Sequence, residues 1–250
     1  MSDSIFFAPD IRQHPFLTED ESQHCVKVLR MKEGEQIVVT DGKGFFYDCT
    51  LLQAHPKRCA VGIDRVTQIY KNRNEHIHIA FAPVKNMDRN EWFAEKATEI
   101  GVDEITLLQC RFSERKEMKT DRLNKIIVSA MKQSQQAYLP KLNPMIDFGH
   151  FVRSSFEGQK FVAHCYQTPK TLLAKAYRPN EDVLILIGPE GDFSEEEVHL
   201  AMDGGFLPVS LGENRLRTET ACLAAVHTIH VIDQINPSNH LQNSTNPILK

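Results

Sequence analysis

The stretch that decides the fold is VLILIGPEGDFSEEE, residues 183–197. Its five aliphatic residues, Val183–Ile187, are typical of a strand buried on both faces of a sheet. The strand is followed by Gly188-Pro189-Glu190-Gly191, and then by Ser194 and Glu197, which have the spacing of a capping box and predict the start of a helix. Glycine lets a ligand approach the backbone closely, although a tight turn alone would also explain these residues.

A second loop of the same kind lies in LGENRLRTETA, residues 211–221. The predicted strand FLPVSL ends at Leu211, and the turn at residues 212–217 leads into a last helix that we expect from Thr218 to Ile235, with Thr218 as its N-cap. Ligands of parallel α/β sheets bind beyond the carboxyl ends of strands. Because neither loop has the glycine pattern of a nucleotide phosphate site, a dinucleotide or nucleoside triphosphate ligand is disfavoured.

From about residue 75 onward, predicted strands and helices alternate, which indicates an α/β domain with a mainly parallel sheet. One predicted helix is expected to begin at an Asp88 cap and to end at Gly101. The remaining predicted elements are the strands HIHIAFAP, ITLL, FVAHCY, VLILI and FLPVSL and the helix DRLNKIIVSAMKQSQQA.

The first seventy residues have a different pattern. A helical segment with a Thr18/Glu21 capping box is followed by the short strands QIVVT, FFYDCTLL and CAVGIDRV, with a DGKG hairpin turn between the first two. Short strands of this kind predict a small β-barrel-like domain. We expect domains at residues 1–70 and 75–240, a linker at KNRNE and a loose tail after Pro237.

Composition excludes several classes of protein. The chain has 250 residues, of which 41% are hydrophobic and 25% are charged, and no run of apolar residues is long enough to span a membrane. Because the N-terminus also lacks the features of a signal peptide, we expect a cytoplasmic protein. Six scattered cysteines and two histidine pairs without acidic or cysteine partners nearby predict neither disulfides nor a metal site.

The net charge of −4 disfavours nonspecific binding of nucleic acid by the whole chain. Residues 111–141 nevertheless contain eight basic and three acidic side chains. This segment is either an RNA-binding surface or simply a solvated helix surface.

The pair IGPEGDFSEEE and LGENRLRTETA resembles the C-terminal motifs of the SPOUT superfamily of RNA methyltransferases, most closely the RsmE family, which methylates uridine N3 in 16S ribosomal RNA. HCVKVLRMKEGEQIVVTDGKG resembles the PUA-like, RNA-binding β-barrel of that family, and KNMDRNEWFAEKATEIGVDEITLL resembles its first strand-helix-strand unit. The resemblance implies a C-terminal trefoil-knotted α/β domain and a homodimer that acts on 16S rRNA of the small ribosomal subunit.

The resemblance also implies that the two loops enclose S-adenosylmethionine (SAM). Arg217 would stabilise the negative charge of a deprotonated uracil, unless it only forms a salt bridge with Glu190 or Glu219. Glu190 would order its loop or accept a proton. The cofactor-binding residues would be His164, Ile187, Gly188, Pro189, Glu190, Gly191, Leu211, Gly212, Asn214, Leu216, Arg217 and Thr218. For His164, a core or surface position without a ligand remains an alternative.

Candidate RNA contacts are Lys27, Arg30, Lys32 and Lys43 in the first domain, with Arg111 and Arg115 in the second. Small residues on the last helix, Ala221, Ala224, Ala225 and Thr228, either face a second subunit or pack on the sheet of their own chain.

Two other functions remain open at this stage. One is a SPOUT methyltransferase that modifies a ribose hydroxyl or a transfer-RNA base, and the other is a noncatalytic RNA-binding protein.

Overall fold

The computed structural model describes residues 4–71, 73 and 75–237. The chain forms two compact units, one of Met1–Lys71 with Val128–Leu139 and the other of Asn72–Ile127 with Pro140–Lys250. Asn72 and Asn74 of the predicted linker and the predicted tail after Pro237 lie outside the described residues. None of the helices in the described ranges has the length and apolarity that crossing a membrane requires.

The first unit contains a four-stranded sheet in the order β1-β2-β3-β4, with β1 parallel to β2 and the other neighbours antiparallel. The short helix α1 continues into a π-helical turn at His24–Val28. The element bounds are β1 Ile5–Phe7, α1 Glu19–Gln23, β2 Gln36–Thr40, β3 Phe45–Gln53 and β4 Ala60–Gln68. The predicted hairpin is confirmed, because β2 and β3 pair directly on either side of the DGKG turn.

The capping box predicted for α1 is only half formed. The Thr18 side chain accepts a hydrogen bond from the Glu21 amide at 3.3 Å, as a helix cap should. The Glu21 carboxylate does not return to the cap, because it forms an ion pair with Lys132. Lys132 belongs to Val128–Leu139, the segment that clusters with the first unit although it is distant in sequence.

The second unit is built on a seven-stranded sheet in the order β7-β6-β5-β10-β8-β11-β9, and every neighbouring pair is parallel. The predicted α/β class is therefore confirmed. Its strands are β5 Ile77–Phe81, β6 Glu104–Gln109, β7 Lys141–Asp147, β8 Gln159–Ala163, β9 Thr171–Leu172, β10 Val183–Ile187 and β11 Leu207–Ser210. The remaining helices are α2 Met87–Ile100, α3 Asp121–Gln133, α4 Phe148–Val152, α5 Leu173–Ala176, α6 Glu195–Asp203 and α7 Thr218–Ile235.

Strands β5 and β10 lie at the centre of this sheet, and every one of their residues is buried. On one face, Leu184 and Leu186 belong to a core cluster with Phe148 and Phe193. On the other face, Phe81 packs edge-on against Phe93 of α2, with 4.9 Å between the ring centroids. Because both faces are covered, the central strand consists of a continuous aliphatic run rather than an alternating pattern.

Three predicted helix ends are confirmed and two predicted caps are wrong. The Ser194/Glu197 capping box is complete, α2 ends at Gly101 with φ of 113°, and α7 has the predicted bounds. Asp88 is not the cap of α2, because the Asn86 side chain accepts the hydrogen bond from the Asp88 amide. Thr218 is not the cap of α7 either, since it is already helical and its hydroxyl makes a tertiary contact instead.

Candidate functional site

Three strands end side by side at the carboxyl edge of the parallel sheet. Strand β8 lies between β10 and β11, and Ala163 is in register with both Ile187 and Val209. The segments that follow these strands, beginning at His164, Gly188 and Leu211, are therefore neighbours in space. The sheet register thus brings together the two predicted loops and the predicted histidine.

A buried hydrogen bond joins the two loops directly. The Thr218 hydroxyl donates to the carbonyl oxygen of Gly188 at 3.0 Å, and the Thr218 side chain is buried. Thr218 is the first helical residue of α7, so its hydroxyl does not stand at the N-cap position. Arg217 occupies the N-cap position of α7 without a side-chain capping bond.

Backbone packs tightly at the β10 loop. A Cβ atom on Gly188 would lie 3.0 Å from the amide nitrogen of Phe193, and one on Gly191 would lie 3.1 Å from Cβ of Phe112. A side chain at either position would therefore require the neighbouring atoms to shift, which favours glycine. Gly212 in the second loop has φ of 136°, a conformation that L side chains rarely adopt.

The other predicted loop residues differ in exposure. Ile187 and Pro189 are buried, whereas Leu211 and Leu216 are half-buried. Glu190, Asn214 and Arg217 are exposed. The pair of loops therefore combines apolar side chains and backbone groups with three solvent-facing polar side chains.

His164 is 7% exposed, and neither of its ring nitrogens has a hydrogen-bond partner among the described residues. Burial lowers the pKa of the imidazole, and the nearby Lys170 ammonium lowers it further. The Lys170 amino group donates to the His164 carbonyl oxygen at 2.7 Å. His164 is therefore a neutral ring that keeps one donor and one acceptor available for a ligand.

Asp192 connects the β10 loop to the segment that follows β8. Its carboxylate accepts hydrogen bonds from the amides of Cys165 at 2.7 Å and Phe193 at 2.8 Å. The Tyr166 hydroxyl adds a bond to the Phe193 carbonyl oxygen at 2.8 Å. The backbone of Asp192 has φ of 67°, which aspartate tolerates better than most residues. No local pattern in the sequence shows where the Asp192 side chain will bond, so its role could not be predicted.

Glu190 and Arg115 both bind the backbone that follows β5. Glu190 accepts a hydrogen bond from the Lys85 amide at 2.9 Å. The Arg115 guanidinium donates to the carbonyl oxygens of Lys85 at 2.7 Å and Val84 at 3.3 Å. These contacts order the loops, and they occupy the guanidinium that was predicted to bind RNA.

Arg217 forms no ion pair within the part of the chain that the structure describes. The two carboxylates considered as alternative partners are engaged elsewhere, Glu190 with the Lys85 amide and Glu219 with Arg89 at 3.6 Å. The exposed guanidinium therefore remains available at the edge of the two loops.

The basic segment at residues 111–141 is largely neutralised by its own chain. Four of its cations have carboxylate partners: Arg111 with Glu196, Arg122 with Glu91, Lys132 with Glu21 and Lys141 with Glu104. In the first unit, Lys43 donates to the Pro9 carbonyl oxygen. Lys27, Arg30 and Lys32 are exposed and have no ion-pair partner among the described residues. Lys119 of the basic segment is likewise exposed and has no ion-pair partner in the described ranges, so unpaired positive charge is present at residues 27–32 and at Lys119.

No group of three or more histidine, cysteine or acidic side chains in the described ranges is arranged to hold a metal ion. The functional groups assembled at the carboxyl edge are those of an organic ligand site. They comprise glycine-rich backbone, apolar side chains, a neutral histidine and an arginine.

Comparison with known proteins gives the class of protein, an RNA methyltransferase. The sequence matches the RNA methyltransferase domain family over residues 71–230 and the RNA methyltransferase PUA domain family over residues 17–64. The chain belongs to the RNA methyltransferase family.

Curated relatives and solved structures agree with this assignment. The chain is 27% identical to ribosomal RNA small subunit methyltransferase E of Buchnera aphidicola, over 89% of this chain and 90% of the relative. A Porphyromonas gingivalis structure assigned as an rRNA methyltransferase has 41% identity and a TM-score of 0.87, covering 93% of this chain and 99% of the other. A Legionella pneumophila structure, assigned as a methyltransferase and solved with bound SAM, has 30% identity and a TM-score of 0.81, covering 92% and 97%.

Proposed function

We propose that this chain transfers the methyl group of SAM to N3 of a uridine in 16S rRNA of the small ribosomal subunit. Family membership and relatives that carry the name ribosomal RNA small subunit methyltransferase E support the reaction class and the substrate. The single structural observation that carries the proposal is the bond between Thr218 and Gly188, which joins two loops distant in sequence at one edge of the sheet.

The residues at this edge fit SAM. Ile187, Leu211 and Leu216 supply apolar contact for its adenine and methionine parts, and the backbone of Gly188, Gly191, Gly212 and Asn214 supplies polar groups. Pro189 stiffens the first loop. The two partnerless ring nitrogens of buried His164 are the strongest sign of fit, because buried polar atoms normally have a partner. When bound, SAM supplies an electrophilic methyl group on a sulfonium, so that no metal is required.

Arg217 is proposed to act on the base. Uridine N3 carries a proton, and once it is lost the negative charge spreads onto the flanking carbonyl oxygens. An exposed guanidinium without a carboxylate partner is suited to stabilise that charge. Glu190 is proposed to order its loop rather than to accept the proton, since its carboxylate already binds the Lys85 amide.

The first unit is proposed to bind RNA through Lys27, Arg30 and Lys32. These exposed cations flank Val28, which is 65% exposed, so that phosphate contacts and apolar contact with a base are available together. Closure of this unit into a PUA-like barrel, a trefoil knot in the second unit and location in the cytoplasm are further parts of the proposal that rest on family resemblance.

A homodimer is also proposed on that resemblance. Two of the four small residues on α7, Ala221 and Ala225, are buried within the single chain. In-chain packing therefore accounts for them, and Ala224 and Thr228 are the two that remain partly exposed. Sedimentation at micromolar concentration tests the dimer, and a monomer alone would contradict it.

The methylation assay uses labelled SAM with purified small ribosomal subunits, free 16S rRNA and transfer RNA, followed by mass spectrometry of the nucleosides. The expected product is 3-methyluridine in 16S rRNA. Label in a ribose or in transfer RNA would replace the proposed target by another RNA atom. Absence of SAM binding by calorimetry would instead favour a noncatalytic RNA-binding protein.

A further inference from the structure

A cleft of about 410 Å³ lies at the carboxyl ends of β6 and β7 in the second unit. It begins where these strands end, at Gln109 and Asp147, and its other walls include Arg111, Lys116, Phe148 and Leu200. None of the residues proposed above to hold SAM lines it. The volume is within the range of small-ligand pockets.

The cleft is connected to the proposed methyl-transfer site by a shared helix start. Glu197 of α6 lines the cleft, and one of its oxygens accepts the Arg111 amide at 2.8 Å. Its other oxygen accepts the Ser194 amide, which fixes the start of α6 directly after the β10 loop. Phe112, next to Arg111, lies so near Gly191 of that loop that a Cβ atom on Gly191 would be 3.1 Å from Cβ of Phe112. A ligand in the cleft would therefore contact the same rigid framework that positions the β10 loop.

The chemistry of the lining favours a neutral planar group. Arg111 and Lys116 are balanced by Asp147 and Glu197, so the cleft offers no net positive charge to a phosphate. Half-buried Leu200 supplies apolar surface beside these polar groups, whereas Phe148 is 2% exposed and adds little accessible area. A nucleobase combines flat apolar faces with a hydrogen-bonding edge and matches such a lining.

Two side chains are placed to bind such an edge. Gln109 is exposed, and its amide, which has both a donor and an acceptor, has no partner among the described residues. Asp147 uses one carboxylate oxygen to accept the His150 amide at 2.8 Å, and the structure records no partner for the other in the described ranges. At the rim, the Arg111 guanidinium forms an ion pair with the exposed Glu196, a surface contact that a phosphate of the RNA backbone could replace at little cost.

We propose that this cleft binds one unstacked base of the RNA substrate, other than the uridine that is methylated. The proposal rests on the proposed function, since it assigns a second contact for the same RNA. It makes the cleft a determinant of sequence preference and leaves cofactor binding to the β10 and β11 loops.

Leu200→Trp fills the cleft, and His199→Trp places the same bulk at the exposed neighbouring position of α6 as a matched control. Gln109→Ala removes the free amide with little risk to folding. We expect Leu200→Trp and Gln109→Ala to raise KM for RNA about tenfold. The SAM dissociation constant and kcat at saturating RNA should change less than about twofold, because these variants leave the two loops intact. His199→Trp should match the wild type in all three quantities.

An abasic scan identifies the base without requiring turnover. Binding of RNA fragments with single abasic positions is measured for wild type and Leu200→Trp. One abasic position outside the target should weaken wild-type binding about tenfold and leave the variant unaffected. The proposal would be overturned if every abasic position weakened RNA binding equally in the wild type and in Leu200→Trp. It would also be overturned if both cleft variants kept the wild-type KM for RNA. An effect seen with assembled subunits but not with free RNA would assign the cleft to a ribosomal protein and overturn it as well.

This result is separable from the proposed function. If wild-type protein binds RNA with the abasic signature but transfers no methyl group, the cleft assignment stands and the catalytic proposal fails. If methylation is normal and no abasic position distinguishes the two proteins, the catalytic proposal stands and the cleft assignment fails.

Discussion

The Thr218 hydroxyl donates a hydrogen bond to the carbonyl oxygen of Gly188, and this 3.0 Å contact joins the first turn of α7 to the loop after β10. Because Thr218 is buried, solvent does not compete for the bond.

Thr218→Val keeps the shape of the side chain and removes the donor. The Gly188 carbonyl oxygen then loses its partner. The lost hydrogen bond destabilises the folded arrangement of the two loops by about 1 kcal/mol, and SAM binding should weaken about fivefold. Calorimetric titration with SAM measures this, with the exposed Thr220→Val on the same helix turn as the control. Equal affinities for the wild type and Thr218→Val would show that the bond does not organise the site.

Arg217→Ala should lower kcat about a hundredfold, because the developing charge on the uracil oxygens loses its cation. SAM affinity should stay within about twofold of the wild type. Arg215→Ala removes an exposed arginine two residues away and should retain normal turnover. Single-turnover methylation separates the chemical step from binding, and a normal rate in Arg217→Ala would refute the catalytic role.

Asp192 allows a graded test, because its contacts and its backbone conformation respond differently to substitution. Asn keeps an acceptor oxygen and tolerates φ of 67°, Gly relieves the backbone but loses both bonds, and Ala loses the bonds and keeps the strain. Stability and SAM affinity should therefore fall in the order wild type, Asn, Gly, Ala, with Ala destabilised by roughly 1–3 kcal/mol. An Ala variant as stable as the Asn variant would contradict this account.

Gly188→Ala should destabilise the second unit and weaken SAM binding, since the new Cβ would lie 3.0 Å from a backbone nitrogen that cannot move independently. Overpacking of this kind costs about 1–3 kcal/mol. Gly62→Ala is the matched control, because its Cβ would meet only the Leu52 side chain at 3.5 Å. Thermal unfolding of both variants decides the point, and equal melting temperatures would show that the β10 loop can relax.

His78 predicts a dependence of stability on pH. Burial removes solvent from the charged form of this imidazole and lowers its pKa from 6.5 to about 4, although the Glu104 carboxylate acts in the opposite direction. A base with a depressed pKa in the folded state contributes stability above the unfolded pKa and loses it as pH falls. Stability should therefore decrease between pH 6.5 and about 4, by up to roughly 3 kcal/mol from this residue.

Urea unfolding at pH 7 and at pH 4.5 measures that decrease. His78→Gln cannot titrate and should show a smaller loss on acidification, because its amide stays neutral at both pH values. His199→Gln, at an exposed position, should lose as much stability on acidification as the wild type. If His78→Gln loses as much stability as the wild type, the acid sensitivity arises from other groups.

Several elements were missed because their sequences carry little local information. Strand β1 has three residues and β9 has two, too few for a periodicity to show. Strand β7 contains Pro144 and lies at the edge of the sheet, where a missing amide is tolerated. The assignment of Val128–Leu139 to the first unit also escaped prediction, since helix α3 is continuous in sequence and only tertiary clustering divides it.

The basic segment at residues 111–141 shows what a charge count along the chain leaves out. Its excess of positive charge was apparent from composition, but the carboxylates that neutralise Arg111, Arg122 and Lys132 lie far away in sequence. A charge count along the chain cannot include partners that only folding supplies. The free cations at residues 27–32 were among the predicted RNA contacts, and no composition argument distinguished them from Lys43.

The sequence by itself determined the elements whose cause is local: the buried aliphatic strand before Gly188, the Ser194/Glu197 helix start, the full length of α7 and the α/β class. Periodicity, capping geometry and glycine conformation act over a few residues and are therefore visible in the chain. Only the tertiary structure decided that Thr218 bonds Gly188, that Asp192 bonds Cys165 and that His164 is buried with no partner for its ring nitrogens in the described ranges. Those contacts depend on which strands become neighbours in the sheet, and strand order is set by the free energy of the whole packed domain rather than by any one segment.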